Sequence, residues 1–329
     1  MLRFLFKRLL SLIVTLFAVS VVAFAIIQLP PGDFLTSYIT NLAADGQNTS
    51  QALVDKLREN YGLDQSVFVQ YGKWMNNILF KGDFGQSFEW NRPVGEVVGS
   101  RMAMTIVLAV STLMLTWIIA LPIGVYSAVK QYSTGDYVAT IIGFIGVAVP
   151  DFLISLVLMY IAFKYFNQSV GGLFSQDYEN AAWSYNKLLD LLGHLWIPVI
   201  IIGLSGTASL IRVMRANLLD ELRKPYVITA RARGLPEWKV IMKYPVRVAL
   251  NPFISTVGWV LPGLVSGSII VAVVLSLPTA GPLLLKSLLT QDMYLAGAFI
   301  LLLSVLTMIG TLASDILLAL VDPRIRYGR

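Results

Sequence analysis

Long apolar runs separated by polar segments dominate the chain. Six runs approach or exceed the ~20 residues that cross a bilayer core as a helix. They occupy about Leu9–Leu29, Met102–Val129, Tyr137–Phe163, Leu195–Val213, Phe253–Leu277 and Leu295–Val321. The pattern predicts an all-α integral membrane protein with six transmembrane helices.

The first run has two interpretations. Basic residues precede it, and Ala23-Phe24-Ala25 resembles a signal-peptide cleavage site. A cleaved signal has an apolar region of only ~7–15 residues, so the greater length of this run favours an uncleaved anchor.

Lysine and arginine concentrate in alternate connections. The amino terminus, the turn with Lys130, the loop 212–251 and the tail with Arg324 and Arg326 are basic. Segments 30–100 and 164–194 are acidic or neutral. By the positive-inside rule, we expect both termini to be cytoplasmic. We divide the chain into 1–100, an N-terminal helix with an extracytoplasmic segment, and 101–329, a five-helix core that carries the 212–251 loop.

The segment 30–100 is too polar to cross a membrane. Ser50 can cap a helix that runs to about Asn60, and a second helix is predicted over about Ser66–Leu79. The turn Gly82–Gly85 follows it. One interpretation is a small folded cap over the first span, and the other is a binding surface for an extracytoplasmic partner. The two are compatible.

Composition strengthens the membrane prediction and excludes several chemistries. The chain is 56% hydrophobic and only 13% charged, against roughly 25% charged in soluble proteins. Its net charge of +6 is explained by cytoplasmic loops facing lipid, without nucleic acid. It has no cysteine and one histidine, His194, which we interpret as an interfacial polar residue. No phosphate-binding GxxxxGK[ST] or HExxH motif is present, so we expect no enzyme, no metal site and no ATP hydrolysis by this chain.

The basic loop has an ordered sequence that charge alone does not explain. Pro225 can start a helix, Gly234 can end it, and Pro236 can begin a second helix that runs to about Tyr244. Pro245 and further prolines lead back to the membrane. The pattern predicts a rigid knob of two short helices.

Several segments resemble one family, the ABC-importer permeases, and most closely the first (B-type) permease of its dipeptide, oligopeptide and nickel class. The loop "YVITARARGLPEWKVIMKYPVRVALNP" is similar to the cytoplasmic coupling loop of that family. The resemblance extends over nearly the whole chain through the segments "FLFKRLLSLIVTLFAVSVVAFAIIQLPPGDF", "LRENYGLDQSVFVQYGKWMNNILFKGDFGQSF", "RPVGEVVGSRMAMTIVLA" and "VDPRIR". The Glu-Ala-Ala of the family aligns on Ile228-Thr229-Ala230, so only its last alanine is retained.

The resemblance implies a type I ABC importer permease fold in a bacterial or archaeal cytoplasmic (inner) membrane. It implies three kinds of partner: a homologous second permease, two ABC ATPase domains and an extracytoplasmic solute-binding protein. Membrane lipid is a further expected partner, because the basic loops would face anionic headgroups. No cofactor is expected in this chain, with ATP and Mg on the partner ATPases. The residues that would dock into a cleft on the ATPase are Tyr226, Thr229, Ala230, Arg231, Ala232 and Gly234.

Two features inside the predicted spans suggest a substrate path. Asp151 follows Pro150 in the third span, where a carboxylate costs ~2.5–3.5 kcal/mol. It either caps the half-helix after the proline or faces the path and meets a cationic group of the solute. Asp315 in the last span is expected to pair with a basic residue. The fifth span contains Gly258, Pro262, Gly263 and Gly267, which indicate either close helix packing or a bendable, path-lining helix. Trp259, Pro262 and Gly263 are its path candidates.

We therefore predict a permease subunit of an ATP-driven importer that forms half of a path for peptides. Oligosaccharides and nickel complexes are alternative solutes. A stand-alone secondary transporter that uses Asp151 and Asp315 as a proton relay is a rival of a different class. A membrane enzyme that acts on lipid would need a polar catalytic cluster, and a scaffold without transport would leave the buried Asp151 unexplained.

Overall fold

The computed structural model describes residues 2–28, 65–87, 89–166, 171–258, 263 and 269–321. These residues are mostly helical, as predicted for an all-α membrane protein. The first seven α-helices are α1 (Leu2–Gln28), α2 (Val67–Asn76), α3 (Val94–Val129), α4 (Thr134–Ala148), α5 (Asp151–Phe166), α6 (Gln176–Glu179) and α7 (Tyr185–Leu222). The other seven are α8 (Pro225–Ala232), α9 (Glu237–Lys243), α10 (Pro245–Ala249), α11 (Asn251–Thr256), α12 (Ile269–Val274), α13 (Ala280–Leu289) and α14 (Met293–Val321).

Four helices are long and apolar enough to span a membrane, namely α1, α3, α7 and α14. The pair α4 and α5 passes the same criterion together but is bent by 103°, so the described residues hold four spans, or five if the pair is one. The predicted fifth span, 253–277, falls partly outside the described residues. Six spans and cytoplasmic termini therefore remain predictions.

The spanning helices are longer than their apolar runs. The apolar pattern marks 195–213, but α7 has 38 residues and would extend about 57 Å at 1.5 Å per residue. A bilayer core is only ~30 Å thick, so both ends of α7 project beyond it. Hydropathy detects the lipid-facing part of a helix and misses such polar extensions.

Prolines have different effects on the spans. Pro122 and Pro198 lie inside the continuous helices α3 and α7. Pro150 separates α4 from α5, because proline cannot donate to a helical carbonyl and forces the preceding residue into an extended conformation. Val149 has that extended conformation, with φ −88° and ψ 128°.

The chain forms two compact units. One comprises Leu9–Ala103 and Leu283–Val305, and the other comprises Met1–Arg8, Met104–Pro282 and Leu306–Arg329. Residues 283–305 group with the N-terminal segment, and the division into 1–100 and 101–329 stays a prediction.

In the first unit, α2 packs along α1 through aromatic side chains. The rings of Tyr71 and Phe24 meet edge to face, with their centroids 5.4 Å apart, and the Tyr71 hydroxyl lies 2.7 Å from the Ser20 Oγ. The predicted helix 66–79 is thus confirmed as α2 and a π-helical turn, Asn77–Lys81. The predicted helix 50–60 lies outside the described residues.

A short two-stranded sheet follows the turn after α2. Gln86–Ser87 (β1) pairs antiparallel with Arg92–Pro93 (β2). Gly85 has φ +97°, and a Cβ there would lie 2.9 Å from the Tyr294 ring. The buried Ser87 donates a 2.5 Å hydrogen bond from Oγ to Asp292, which joins the turn to the start of α14.

In the second unit, small residues bring helices together. A Cβ on Gly124 of α3 would lie 2.6 Å from Met214 of α7, and one on Gly146 of α4 would lie 2.8 Å from Leu204. A Cβ on Gly258 would lie 3.3 Å from the Thr311 backbone in α14. Gly258 therefore lies close to α14, whereas the choice between the two interpretations of the fifth span stays a prediction.

Candidate functional site

The basic loop forms two short helices, α8 and α9, which we call the knob (residues 224–244). α8 begins at Pro225 and ends at Ala232, and α9 begins at Glu237 after Pro236, as the sequence predicts. Between them Gly234 has φ +74°. L-residues reach this conformation only at a cost, so glycine allows the sharp reversal.

The knob has a small core of its own. Val227 and Val240 are fully buried, Ala230 is 5% exposed, and Tyr244 packs against them. These side chains hold α8 against α9, so the knob is a packed unit and not a flexible tether.

An ion pair connects the end of α8 to the start of α9. Arg231 at the end of α8 donates from Nη2 to Glu237 Oε1 at 2.7 Å, and its Nε lies 3.2 Å from both carboxylate oxygens. The hydrogen bond from Arg231 lowers the pKa of the Glu237 carboxyl and raises the pKa of the Arg231 guanidinium. Both side chains are exposed, so the pair is worth only ~0.2–1 kcal/mol.

Five of the six predicted docking positions are exposed on the knob, and one is not. Tyr226, Thr229, Arg231, Ala232 and Gly234 face solvent, whereas Ala230 belongs to the core. The Thr229 hydroxyl donates to Pro225 O at 2.9 Å, and the Tyr226 hydroxyl donates to Glu221. The two side chains are therefore held in place before any partner arrives.

Exposed apolar side chains on the knob were missed by the sequence prediction. Trp238 is 65% exposed, Ile228 58% and Met242 51%. Apolar residues in such short helices are usually assigned to the core. A helix of only two turns contains too few residues for the apolar pattern to distinguish its buried face from its exposed face.

The knob is attached directly to a spanning helix. Arg223 caps the end of α7, and α8 starts two residues later. On the return path, Val246 and Ala249 of α10 and Phe253 of α11 pack against Met214 and Leu218 of α7 in one buried cluster. Packing in this cluster, which also includes Ile241 of α9, therefore connects the knob to α7, α10 and α11.

An ion pair between a half-buried arginine and a buried carboxylate joins α7 to α4. Arg215 donates from Nε and Nη2 to the two carboxylate oxygens of Asp136, each at 3.1 Å. The Tyr132 backbone N–H adds a 2.9 Å bond to the same carboxylate, whose side chain is 4% exposed. Sequence analysis missed this pair because its partners are 79 residues apart.

The predicted path residues are only partly described. Asp151 is the first residue of α5, and the Pro150 carbonyl accepts from Leu153 N at 2.9 Å. Asp151 is half-buried, and its carboxylate makes no hydrogen bond to the described part of the chain. Trp259 and Pro262 lie outside the described residues, and Gly263 is exposed. Their role in a path remains a prediction.

The other polar residues singled out in the sequence each have a partner in the structure. Asp315 pairs with Arg8, which confirms the expected pairing with a basic residue. His194 Nδ1 lies 2.8 Å from Asp190 O, one turn earlier in α7. Among the residues that the structure describes, no group of three His, Asp or Glu side chains could hold a metal ion.

Comparison with known proteins agrees with this architecture. Residues 120–327 match the family described as "Binding-protein-dependent transport system inner membrane component", and residues 1–109 match its N-terminal counterpart. The oligopeptide transport system permease protein AppB of Bacillus subtilis strain 168 is 34% identical over 328 residues, which covers 99% of this chain and 100% of that protein.

A second relative has a different named solute. The glutathione transport system permease protein GsiC of Escherichia coli K12 is 31% identical over 327 residues, 99% of this chain and 100% of that protein. Taken with the multiple apolar helices, these matches show that the chain is a multi-pass membrane protein. It belongs to the family of binding-protein-dependent transport system inner membrane components.

Proposed function

We propose that this chain is one of two permease subunits of an ATP-driven importer that carries peptides across the inner membrane. Membership of the family and the named solutes of the two relatives support the transport role and the peptide class. The observation that carries the mechanism is the packed knob, with five predicted docking positions exposed, built directly on the spanning helix α7.

In this proposal the knob sits in a cleft of a separate ATPase subunit, where ATP and Mg bind. Closure of two ATPase domains moves the knob, and its buried cluster with α7 transmits the motion to the spans. A homologous permease supplies the other half of the path, and an extracytoplasmic solute-binding protein delivers the solute. Asp151, Trp259, Pro262 and Gly263 are the proposed path residues.

The topology can be tested by labelling, because the chain has no cysteine. Single cysteines would be introduced at two exposed positions, Lys239 in the knob and Glu179 in α6. In intact cells a membrane-impermeant maleimide should label Glu179→Cys only, and in inverted membrane vesicles it should label Lys239→Cys only. Labelling of both positions from one side would refute six spans with cytoplasmic termini.

Coupling can be tested with an exposed substitution that leaves the knob core intact. The chain would be purified with the proteins encoded beside it, and ATPase activity and copurification would be measured. Ala232→Trp places a large side chain on the proposed docking surface and should abolish ATPase copurification. Lys130→Trp, an exposed substitution in the turn after α3, is the matched control and should retain it.

The solute class can be tested with the reconstituted complex. Its ATPase rate would be measured with the binding protein and, separately, di- to pentapeptides, glutathione, oligosaccharides and a nickel complex. We expect stimulation by peptides. Stimulation by oligosaccharides or nickel alone would keep the importer but reject the peptide assignment. Uptake by this chain alone in proteoliposomes, abolished by Asp151→Asn, would instead establish a secondary transporter.

A further inference from the structure

A cavity of about 530 Å³ opens at the base of the knob. Four helices meet around it: the end of α7, the start of α8, the end of α9, and α10. Three cationic side chains line it, Lys224, Lys243 and Arg247. Tyr226 and Glu221 also line it, and the Tyr226 hydroxyl donates to the Glu221 carboxylate.

The charge of this cavity is unbalanced. None of the three cations has a carboxylate oxygen within 4 Å in the part of the chain that the structure describes. Lys243 instead stands over the Tyr244 ring, with its Nζ 5.8 Å from the ring centroid. Three positive charges against one carboxylate leave the cavity with a net charge of about +2, which favours an anion with several acceptor oxygens.

The walls of the cavity are held by packing below them. Pro245 and Val246, next to Arg247, are buried, and Val246 packs against α7 in the cluster with Met214. Lys243 is the last residue of α9, and Val240 of the same helix is fully buried in the knob core. The three cations therefore project from a fixed frame, although their own side chains are exposed.

The cavity lies at the end of a spanning helix, on the part of α7 that extends beyond its apolar run. Glu221 belongs to the last turn of the spanning helix α7, and Arg247 is four residues from α11, which leads into the predicted fifth span. Val248 lines the cavity and is 43% exposed. A cationic site with an apolar side chain at the end of a span suits an amphiphilic anion better than a soluble one.

We infer that this cavity binds the phosphate of an anionic glycerophospholipid, with the glycerol and acyl chains directed along α10. The three cations would contact the phosphate oxygens, and the lipid would brace the base of the knob against α7 and α10. The inference goes beyond the proposed transport role and does not depend on the identity of the solute.

The test uses the full chain, purified in detergent and depleted of lipid. Binding of a fluorescent phosphatidylglycerol would be titrated, with phosphatidylcholine as the zwitterionic control. Inorganic phosphate would be added as a competitor, to separate a lipid headgroup from a soluble phosphate. We expect saturable binding of phosphatidylglycerol that phosphatidylcholine and equimolar inorganic phosphate do not displace.

Two variants of equal charge distinguish this site from general attraction to the loop. Lys243→Gln with Arg247→Gln removes two cavity cations, whereas Arg233→Gln with Lys239→Gln removes two exposed cations of the knob outside it. The cavity pair should weaken phosphatidylglycerol binding about tenfold or more, and the outside pair less than about twofold. Arg247→Lys keeps the charge and should retain most of the binding.

Three results would overturn the inference. Equal weakening by both pairs would reduce the effect to general charge attraction. Displacement by equimolar inorganic phosphate would assign the cavity to a soluble ligand. Loss of ATPase copurification in the cavity pair, with phosphatidylglycerol binding unchanged, would make the cavity a protein-docking surface. Equal thermal unfolding midpoints of both pairs and the natural chain would show that none of these results reflects misfolding.

Discussion

The left-handed conformation of Gly234 gives a sharp prediction about the knob. Its φ of +74° places it where a Cβ meets the following carbonyl oxygen. No other atom lies within 4 Å of a Cβ built there, so alanine would suffer from backbone strain alone. That strain is ~1–2 kcal/mol for alanine. It is smaller for asparagine, which tolerates the left-handed region.

The expected effect of Gly234→Ala is local opening of the knob. A destabilisation of ~1–2 kcal/mol corresponds to roughly five- to thirtyfold faster exchange of backbone amides that exchange through local opening. Hydrogen exchange followed by mass spectrometry would measure this for peptides that cover residues 224–244. Peptides from α3 and α14 should not change, because the strain is confined to the turn.

Two further variants test whether the strain is the cause. Gly234→Asn should raise the exchange rate less than Gly234→Ala. Gly99→Ala in α3 is the matched control, since Gly99 is exposed, is helical and also has open space around its Cβ position. It should not raise exchange anywhere, because alanine favours helix over glycine by about 1 kcal/mol. Unchanged exchange in Gly234→Ala, or equal effects of alanine and asparagine, would refute the argument from φ.

Three other predictions concern charged groups. The Arg231 hydrogen bond lowers the pKa of Glu237 from its ordinary value of 4.5, so the stabilisation is fully present above that pH and is lost as pH falls through the lowered pKa. The rate of amide exchange in the knob, corrected for intrinsic rates, should therefore be constant from about pH 8 to 5 and rise at lower pH. Glu237→Gln should remove the rise. A transition near neutral pH would contradict the assignment to Glu237. Asp136→Asn leaves the half-buried Arg215 charge without its partner and should destabilise the chain by ~1–3 kcal/mol, measured by thermal unfolding in detergent. Adding Arg215→Gln should recover part of the loss, and a double variant worse than the sum would refute the pairing. Lys187 is 6% exposed and donates to the carbonyl of the half-buried Ala181 at 2.6 Å. Lys187→Met should leave that carbonyl without this donor at a cost of ~1 kcal/mol, detected as faster exchange over residues 175–184, and unchanged exchange there would contradict it.

The membrane character and the local structure of the knob could be predicted from the order of the amino acids. Apolar runs place the spans because a bilayer excludes unpaired backbone groups whatever the tertiary contacts are. Pro225, Gly234 and Pro236 set the limits of α8 and α9 because their backbone preferences act over one or two residues. The pairing of Asp315 with a basic residue was also predictable, since a charge in a span needs a partner.

Which side chains face inward, and which distant residues meet, depends on how the helices pack and could not be predicted. Ala230 belongs to the knob core and Trp238 to its surface, a choice that depends on how α8 packs against α9. Asp136 and Arg215 are brought together by the contact between α4 and α7. The cavity with Lys224, Lys243 and Arg247 arises where four helices converge. Each of these contacts joins residues that are far apart in the chain or on different helices. The local backbone preferences of single residues therefore do not predict them.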